Sequence, residues 1–132
     1  MLDIELKNLK GIEYFTEMEE LLFPINAVKT LNISKNTRLK KLWCYKNKLT
    51  KVTLGKQKYL VMLDCSANDN LKKLDIGKCP KLLNIVKKGK KKVVQDQFLG
   101  KYVQWKIGKE QYIRIPANCK LMNGKKVLYK GK

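Results

Sequence analysis

LKKLWCYKNKLTKVTLGKQKY (Leu39–Tyr59) decides the fold, because the stretches on either side of it repeat its apolar spacing. Within it, Leu39, Leu42, Cys44, Asn47, Leu49, Val52 and Leu54 follow the pattern LxxLxLxxNxLxxLxL. The preceding MEELLFPINAVKTLNISKNTR puts Met18, Leu21, Phe23, Asn26, Val28, Leu31 and Ile33 on the same positions 21 residues earlier. The following LVMLDCSANDNLKKLDIGKCPK matches at Leu60, Leu63, Cys65 and Asn68, then at Leu71, Leu74 and Ile76 after a one-residue insertion near Asp69. A fourth copy is expected to begin with Leu82 and Ile85 before KKGKKK (Lys87–Lys92) breaks it, and Ile4, Leu6, Leu9, Ile12 and Phe15 read as a partial, irregular first turn. A fixed period of this length means that each copy buries its apolar face only by stacking on its neighbours.

The alternation inside each copy fixes the local structure. Leu42 and Cys44 point one way while Lys41, Trp43 and Tyr45 point the other, the period of a strand with one buried face. Stacked copies then form a parallel sheet, in which Phe23, Cys44 and Cys65 become neighbours in one apolar column. Twenty-one residues leave no room for a full crossover helix, so the second half of each copy (Leu31 with Ile33, Val52 with Leu54, Leu74 with Ile76) is expected to be extended or 3₁₀. Asn26, Asn47 and Asn68 fall where the chain leaves the sheet, and their amides are suited to pairing turn backbone groups that would otherwise be buried alone.

These residues closely resemble the short bacterial leucine-rich repeat, which alternates an LxxLxCxxN half with an LxxLxLSxN half. The resemblance covers about residues 4–87 and does not extend to the tail. It implies an α/β-class leucine-rich-repeat solenoid, rich in β structure with a parallel sheet and little helix. It further implies a binding role toward proteins or other large ligands, and a secreted or cell-surface location. The opening MLDIELKNLKGIEYF has acids where an export signal has a basic start and an apolar core, so the chain as written reads as cytoplasmic or as the mature part of an exported protein.

Beyond the repeats, YVQWKI (Tyr102–Ile107), YIRIP (Tyr112–Pro116) and CKLMNGKKVLY (Cys119–Tyr129) alternate as strands do, the last with Asn123-Gly124 as a hairpin turn. The expected organisation is therefore an N-terminal cap and irregular first repeat (1–17), the repeats (18–87) and a basic, β-rich C-terminal cap (88–132), with KKGKKK as a solvated turn.

Composition narrows the chemistry. The 132 residues contain no His, so imidazole bases, His zinc ligands and His-dependent triads are excluded. Four cysteines without a CxxC pair would all be needed for a zinc site, and their spacing argues against one; no metal, cofactor or catalytic residue is expected. Cys44 and Cys65 read as reduced, buried thiols. Net charge is +19 and runs unevenly: residues 1–20 carry six acids against two lysines, whereas residues 87–132 carry 14 bases against two acids. Only Arg38 and Arg114 are arginines, which disfavours readout of nucleic-acid bases.

Outward positions on successive strands should form columns: Glu20, Leu22, Pro24; Lys41, Trp43, Tyr45; Met62, Asp64, Ser66; Asn84, Val86, Lys88. The candidate binding residues are Leu22, Lys41, Trp43, Tyr45, Met62, Asp64, Ser66, Val86 and Lys88, with Trp43 and Tyr45 the expected anchors. Asp64 has no second acid beside it, so paired-carboxylate catalysis is unsupported. The expected role is non-enzymatic: a protein-interaction module presenting this face to a protein partner, or alternatively a polyanion binder acting through the Lys-rich C-terminal half, with no small-molecule cofactor and no transmembrane segment.

Overall fold

A computed structural model describes residues 7–131. It is rich in short strands, several of them parallel, with a single α-helix among the described residues. Each 21-residue copy supplies two three-residue strands: β1 (Glu20–Leu22) and β2 (Thr30–Asn32), β3 (Lys41–Trp43) and β4 (Lys51–Thr53), β5 (Met62–Asp64) and β6 (Lys73–Asp75). The second halves are thus extended. There follow α1 (Pro80–Lys88), β7 (Lys90–Asp96), β8 (Gly100–Ile107), β9 (Gln111–Pro116), β10 (Lys120–Asn123) and β11 (Lys126–Tyr129).

The copies stack in register. Leu21 pairs with Leu42, Leu42 with Leu63, and Leu63 with Ile113, all in parallel. Phe23 N–H donates to the Trp43 carbonyl, Cys44 N–H to Asp64 and Cys65 N–H to Arg114, which stacks Phe23, Cys44 and Cys65 as one buried column. On the other side of the coils β2 pairs with β4 in the same sense. Ile4 and Leu6 lie outside the described residues; Leu9 and Ile12 pack against the core, while Phe15 is 63% exposed.

At each exit from the sheet the backbone reverses through a left-handed residue that is not glycine: Ile25 at φ 59°, Lys46 at 57° and Ala67 at 56°. That conformation costs roughly 1–2 kcal/mol for an L-residue. The following asparagine offsets it. Asn47 Nδ2 donates to the Phe23 carbonyl of the previous coil (3.0 Å) and to the Cys44 carbonyl of its own (3.1 Å), and its Oδ1 accepts from Val28 N–H (3.1 Å). Asn68 repeats the set with Cys44, Cys65 and Leu49 N–H. A second ladder, not anticipated from the sequence, runs 21 residues apart on the far side: Asn36 Nδ2 donates to Ile12 and Phe15 carbonyls, and Gln57 Nε2 to Ile33 and Leu54 carbonyls. Cys79 Sγ continues it at 3.7 Å from the Gly55 carbonyl.

The expectation for residues 82–92 is corrected. Leu82 and Ile85 are buried in α1 rather than on a fourth strand, so Asn84, Val86 and Lys88 line a helix and not the sheet. The spacing LxxL is the same i, i+3 interval that puts two leucines on one helical face, and Pro80 at the first helical position favours the helix over another coil. KKGKKK is no solvated turn either: Lys87 and Lys88 close α1, where cations suit the helix dipole, and Lys90–Lys92 open β7. Gly89 joins them because a Cβ there would stand 2.5 Å from the Ile85 carbonyl and 3.0 Å from Lys106 N.

The strand places expected of a fourth coil are taken by the tail. β9 lies parallel to β5 and β10 parallel to β6, so residues 111–123 retrace the two-strand course of the coils before them. β8 and β7 then extend the large sheet antiparallel, giving the order β1-β3-β5-β9-β8-β7. β10 and β11 form the expected hairpin one residue late: Asn123 ends the strand opposite Lys126, and Gly124-Lys125 make the turn.

All four cysteines are free and buried. Burial pushes the Cys79 thiol from 9.0 up to about 11 and Cys119 to about 12. A hydrogen bond with Cys44, then full burial, push Cys65 well up. Such groups are neutral when folded, so the stability tied to them is complete below about pH 9 and is lost as pH rises through the folded values. Two outcomes are expected. Native protein at pH 8 should leave its thiols unreactive toward a disulfide reagent and titrate four only after denaturation, and the urea midpoint should fall between pH 9 and 11, less steeply in Cys79→Ala. Asn47→Ala should lower unfolding free energy by about 2–4 kcal/mol, since Val28 N–H is left buried without its acceptor while the Phe23 and Cys44 carbonyls each lose one of two amide donors; urea denaturation measures it.

Candidate functional site

The six-stranded sheet carries three outward rows, set by the strand register. Glu20, Lys41, Met62, Tyr112, Lys106 and Lys90 stand side by side; next to them run Leu22, Trp43, Asp64, Arg114, Gln104 and Lys92. Beyond these lie Tyr45, Ser66, Pro116 and Tyr102, where Tyr102 pairs with Pro116. Strand alternation puts them all on one face.

The centre of this face is a connected polar and aromatic network. Trp43 Nε1 donates across β5 to Tyr112 Oη at 2.8 Å, and the Trp43 and Tyr45 rings lie 6.1 Å apart. Arg114 Nε donates to Gln104 Oε1 at 2.7 Å, Arg114 Nη1 pairs with Asp64 Oδ2 at 3.3 Å, and the guanidinium lies 4.9 Å from the Tyr112 ring and 5.8 Å from Tyr102. Asp64 Oδ1 accepts from Ser66 N–H (3.0 Å) and Ser66 Oγ (2.6 Å). Burial drives the Tyr112 phenol above its ordinary value, against the opposing pull of Trp43 and Arg114. Lys41 Nζ sits 3.9 Å from the Trp43 ring centre.

The sequence-derived residues therefore divide. Leu22 is 43% exposed, and Lys41, Trp43, Tyr45 and Met62 are half-buried on the same face. Asp64 and Ser66 share the face but are buried, at 2% and 0% exposure, because Arg114 on β9 closes over the carboxylate. Val86 and Lys88 belong to α1 and stand outside the outward rows. The β7–β8 turn reaches the residue after Tyr45: Lys46 Nζ donates to the Phe98 carbonyl at 2.9 Å and lies 4.4 Å from its ring.

Tyr112, Arg114 and Gln104 were not placed on this face from the sequence. A signal existed: Ile113, Ile115 and Asn118 keep the spacing of Leu42, Cys44 and Asn47. The α1–β8 insertion displaces it from the 21-residue frame, and Asn118 is exposed rather than part of the ladder.

Chemically, both carboxylate oxygens of Asp64 are engaged, and the face offers aromatic edges, an aliphatic rim and ammonium groups. Among the described residues no group of three or more His, Cys, Asp or Glu is placed to hold a metal, and no helix is long and apolar enough to cross a membrane. No protein-family model, curated protein or solved structure matches the chain.

Removing the buried carboxylate takes the acceptor from two Ser66 donors and leaves Arg114 with Gln104 as its remaining side-chain acceptor. Asp64→Ala should therefore cost about 2–4 kcal/mol in urea unfolding, whereas the same change at exposed Asp69 should cost less than about 0.5 kcal/mol.

Proposed function

We propose that the chain is a leucine-rich-repeat solenoid of the short bacterial kind, closed at its C-terminal end by the tail strands, and that it acts as a non-enzymatic protein-binding module. The contact surface is the outward sheet face, with Leu22, Lys41, Trp43, Tyr45 and Met62 touching the partner and Asp64 and Ser66 holding the face from beneath. The 21-residue register of β1, β3 and β5 and the paired strands of each coil support the solenoid reading. The lack of histidine and the full engagement of Asp64 support a role without catalysis. A surface or secreted bacterial protein is the setting this architecture suits.

One observation carries the binding surface: Trp43 is half-buried yet rigidly held, its indole N–H bound to Tyr112 Oη and its ring covered by Lys41. An aromatic fixed in place before contact loses little entropy on binding, and such anchors dominate interface energies. Leu22 and Met62 beside it supply the apolar rim.

The test is affinity capture with immobilised chain, followed by titration of the protein that wild type retains. Trp43→Ala should weaken that complex by more than about 1 kcal/mol, with Tyr59→Ala, exposed on another side, binding as wild type. Equal binding by Trp43→Ala removes this surface from consideration.

A further inference from the structure

We propose that the β7–β8 end of the sheet is a separate anion-binding groove, whose ligand is an acidic polysaccharide bearing sulfate or phosphate esters. The groove measures about 460 Å³ and is lined by Lys90, Lys91, Lys92, Gln104, Lys106 and Gly108. It lies beside the aromatic surface of the coils, not within it.

The register concentrates charge here in a way that folding alone does not favour. Lys90 stands directly opposite Lys106 on antiparallel strands, and Lys92 opposite Gln104 one pair further on the same face. Like charges so placed destabilise a sheet. Among the described residues no carboxylate forms an ion pair with them: the ion pairs join Arg38 to Glu17, Lys40 to Glu19 and Arg114 to Asp64. Asp96, on the same strand, instead accepts the Phe98 and Leu99 N–H groups of its own turn. Lysines on an edge strand commonly protect it from pairing with another chain, and that accounts for β7. It does not account for Lys106, because β8 is an interior strand paired on both sides.

The chemistry of the lining selects the ligand. Three lysines on two strands, their backbone positions about 5 Å apart across and about 7 Å along, suit a polymer carrying several closely spaced tetrahedral oxyanions better than a lone carboxylate. The groove lining contains no aromatic ring on which a base could stack and no arginine fork to read a base edge, so a base-free polymer fits it better than single-stranded nucleic acid. Gly108, at φ 64°, adds no side chain to the groove lining.

The experiment titrates the 132-residue chain with dextran sulfate, following binding by calorimetry across a salt series. Lys90→Gln/Lys92→Gln/Lys106→Gln is compared with Lys29→Gln/Lys48→Gln/Lys51→Gln, which has the same net charge but alters exposed lysines around β4. The groove triple should lose at least tenfold in affinity at moderate salt and flatten the salt slope by about two to three, while the control loses less than threefold. Without ligand, the groove triple and Lys106→Gln alone should melt at a higher temperature than wild type at low salt, since the opposed charges are gone. Equal losses in both triples would reduce the effect to general basicity and overturn the groove. Tighter binding of oligo(dT) or poly-glutamate than of dextran sulfate, lost in the groove triple, would overturn the assigned ligand.

Discussion

The structure depends on a side-chain amide in each of two successive repeats doing three things at once. Asn47 and Asn68 each donate to a carbonyl of their own coil and to one of the coil before, and accept a backbone N–H across the same seam. The chain has to leave the sheet sharply if each repeat is to supply a second strand pairing elsewhere within 21 residues, and the exit passes through a left-handed residue. It also turns carbonyls inward, away from water. An uncompensated carbonyl in that position would cost about 1–3 kcal/mol, comparable with what burying one apolar side chain returns. The left-handed residues are Ile25, Lys46 and Ala67, so the conformation is imposed by the ladder and not invited by glycine.

Once the repeats are locked together, the outward face follows from register. Strand alternation sends every second side chain outward, and parallel pairing without stagger lines them into rows. What the rows contain is decided by the tail. By inserting β9 beside β5, the chain brings Tyr112 and Arg114 next to Met62 and Asp64; the first anchors Trp43 and the second neutralises a carboxylate that would otherwise face solvent alone. The rows grade from Glu20 and Leu22 at one edge, through aromatics, to Lys90 and Lys92 at the other. The proposed protein surface and the proposed anion groove are two ends of this gradient.

The same tail explains the inner surface. α1 crosses beneath the sheet with Leu82 and Ile85 buried, and its short joint at Gly89 lets β7 start at once along the edge. Trp105, turned inward from β8, meets Tyr129 of β11 edge-on at 5.4 Å, so the last strand is tied to the large sheet. Cys119 and Leu121 fill the level below.

Much of this was written in the chain. The spacing of Leu, Cys and Asn at 21 residues set the paired short strands, the buried column of Phe23, Cys44 and Cys65, and the structural use of Asn47 and Asn68, because local alternation and a fixed period leave few ways to bury those residues. Trp43, Tyr45, Lys41 and Leu22 were legible as outward neighbours for the same reason. Three things belonged to tertiary structure. LxxL at Leu82–Ile85 serves a helix as well as a coil, and only the packing partner beneath the sheet chose between them. Asp64 and Ser66 read as surface residues because their cover comes from Arg114, 50 positions later. Which strand lies beside β5 depended on where a long insertion returns the chain, and contacts between distant segments leave no period for a sequence to display.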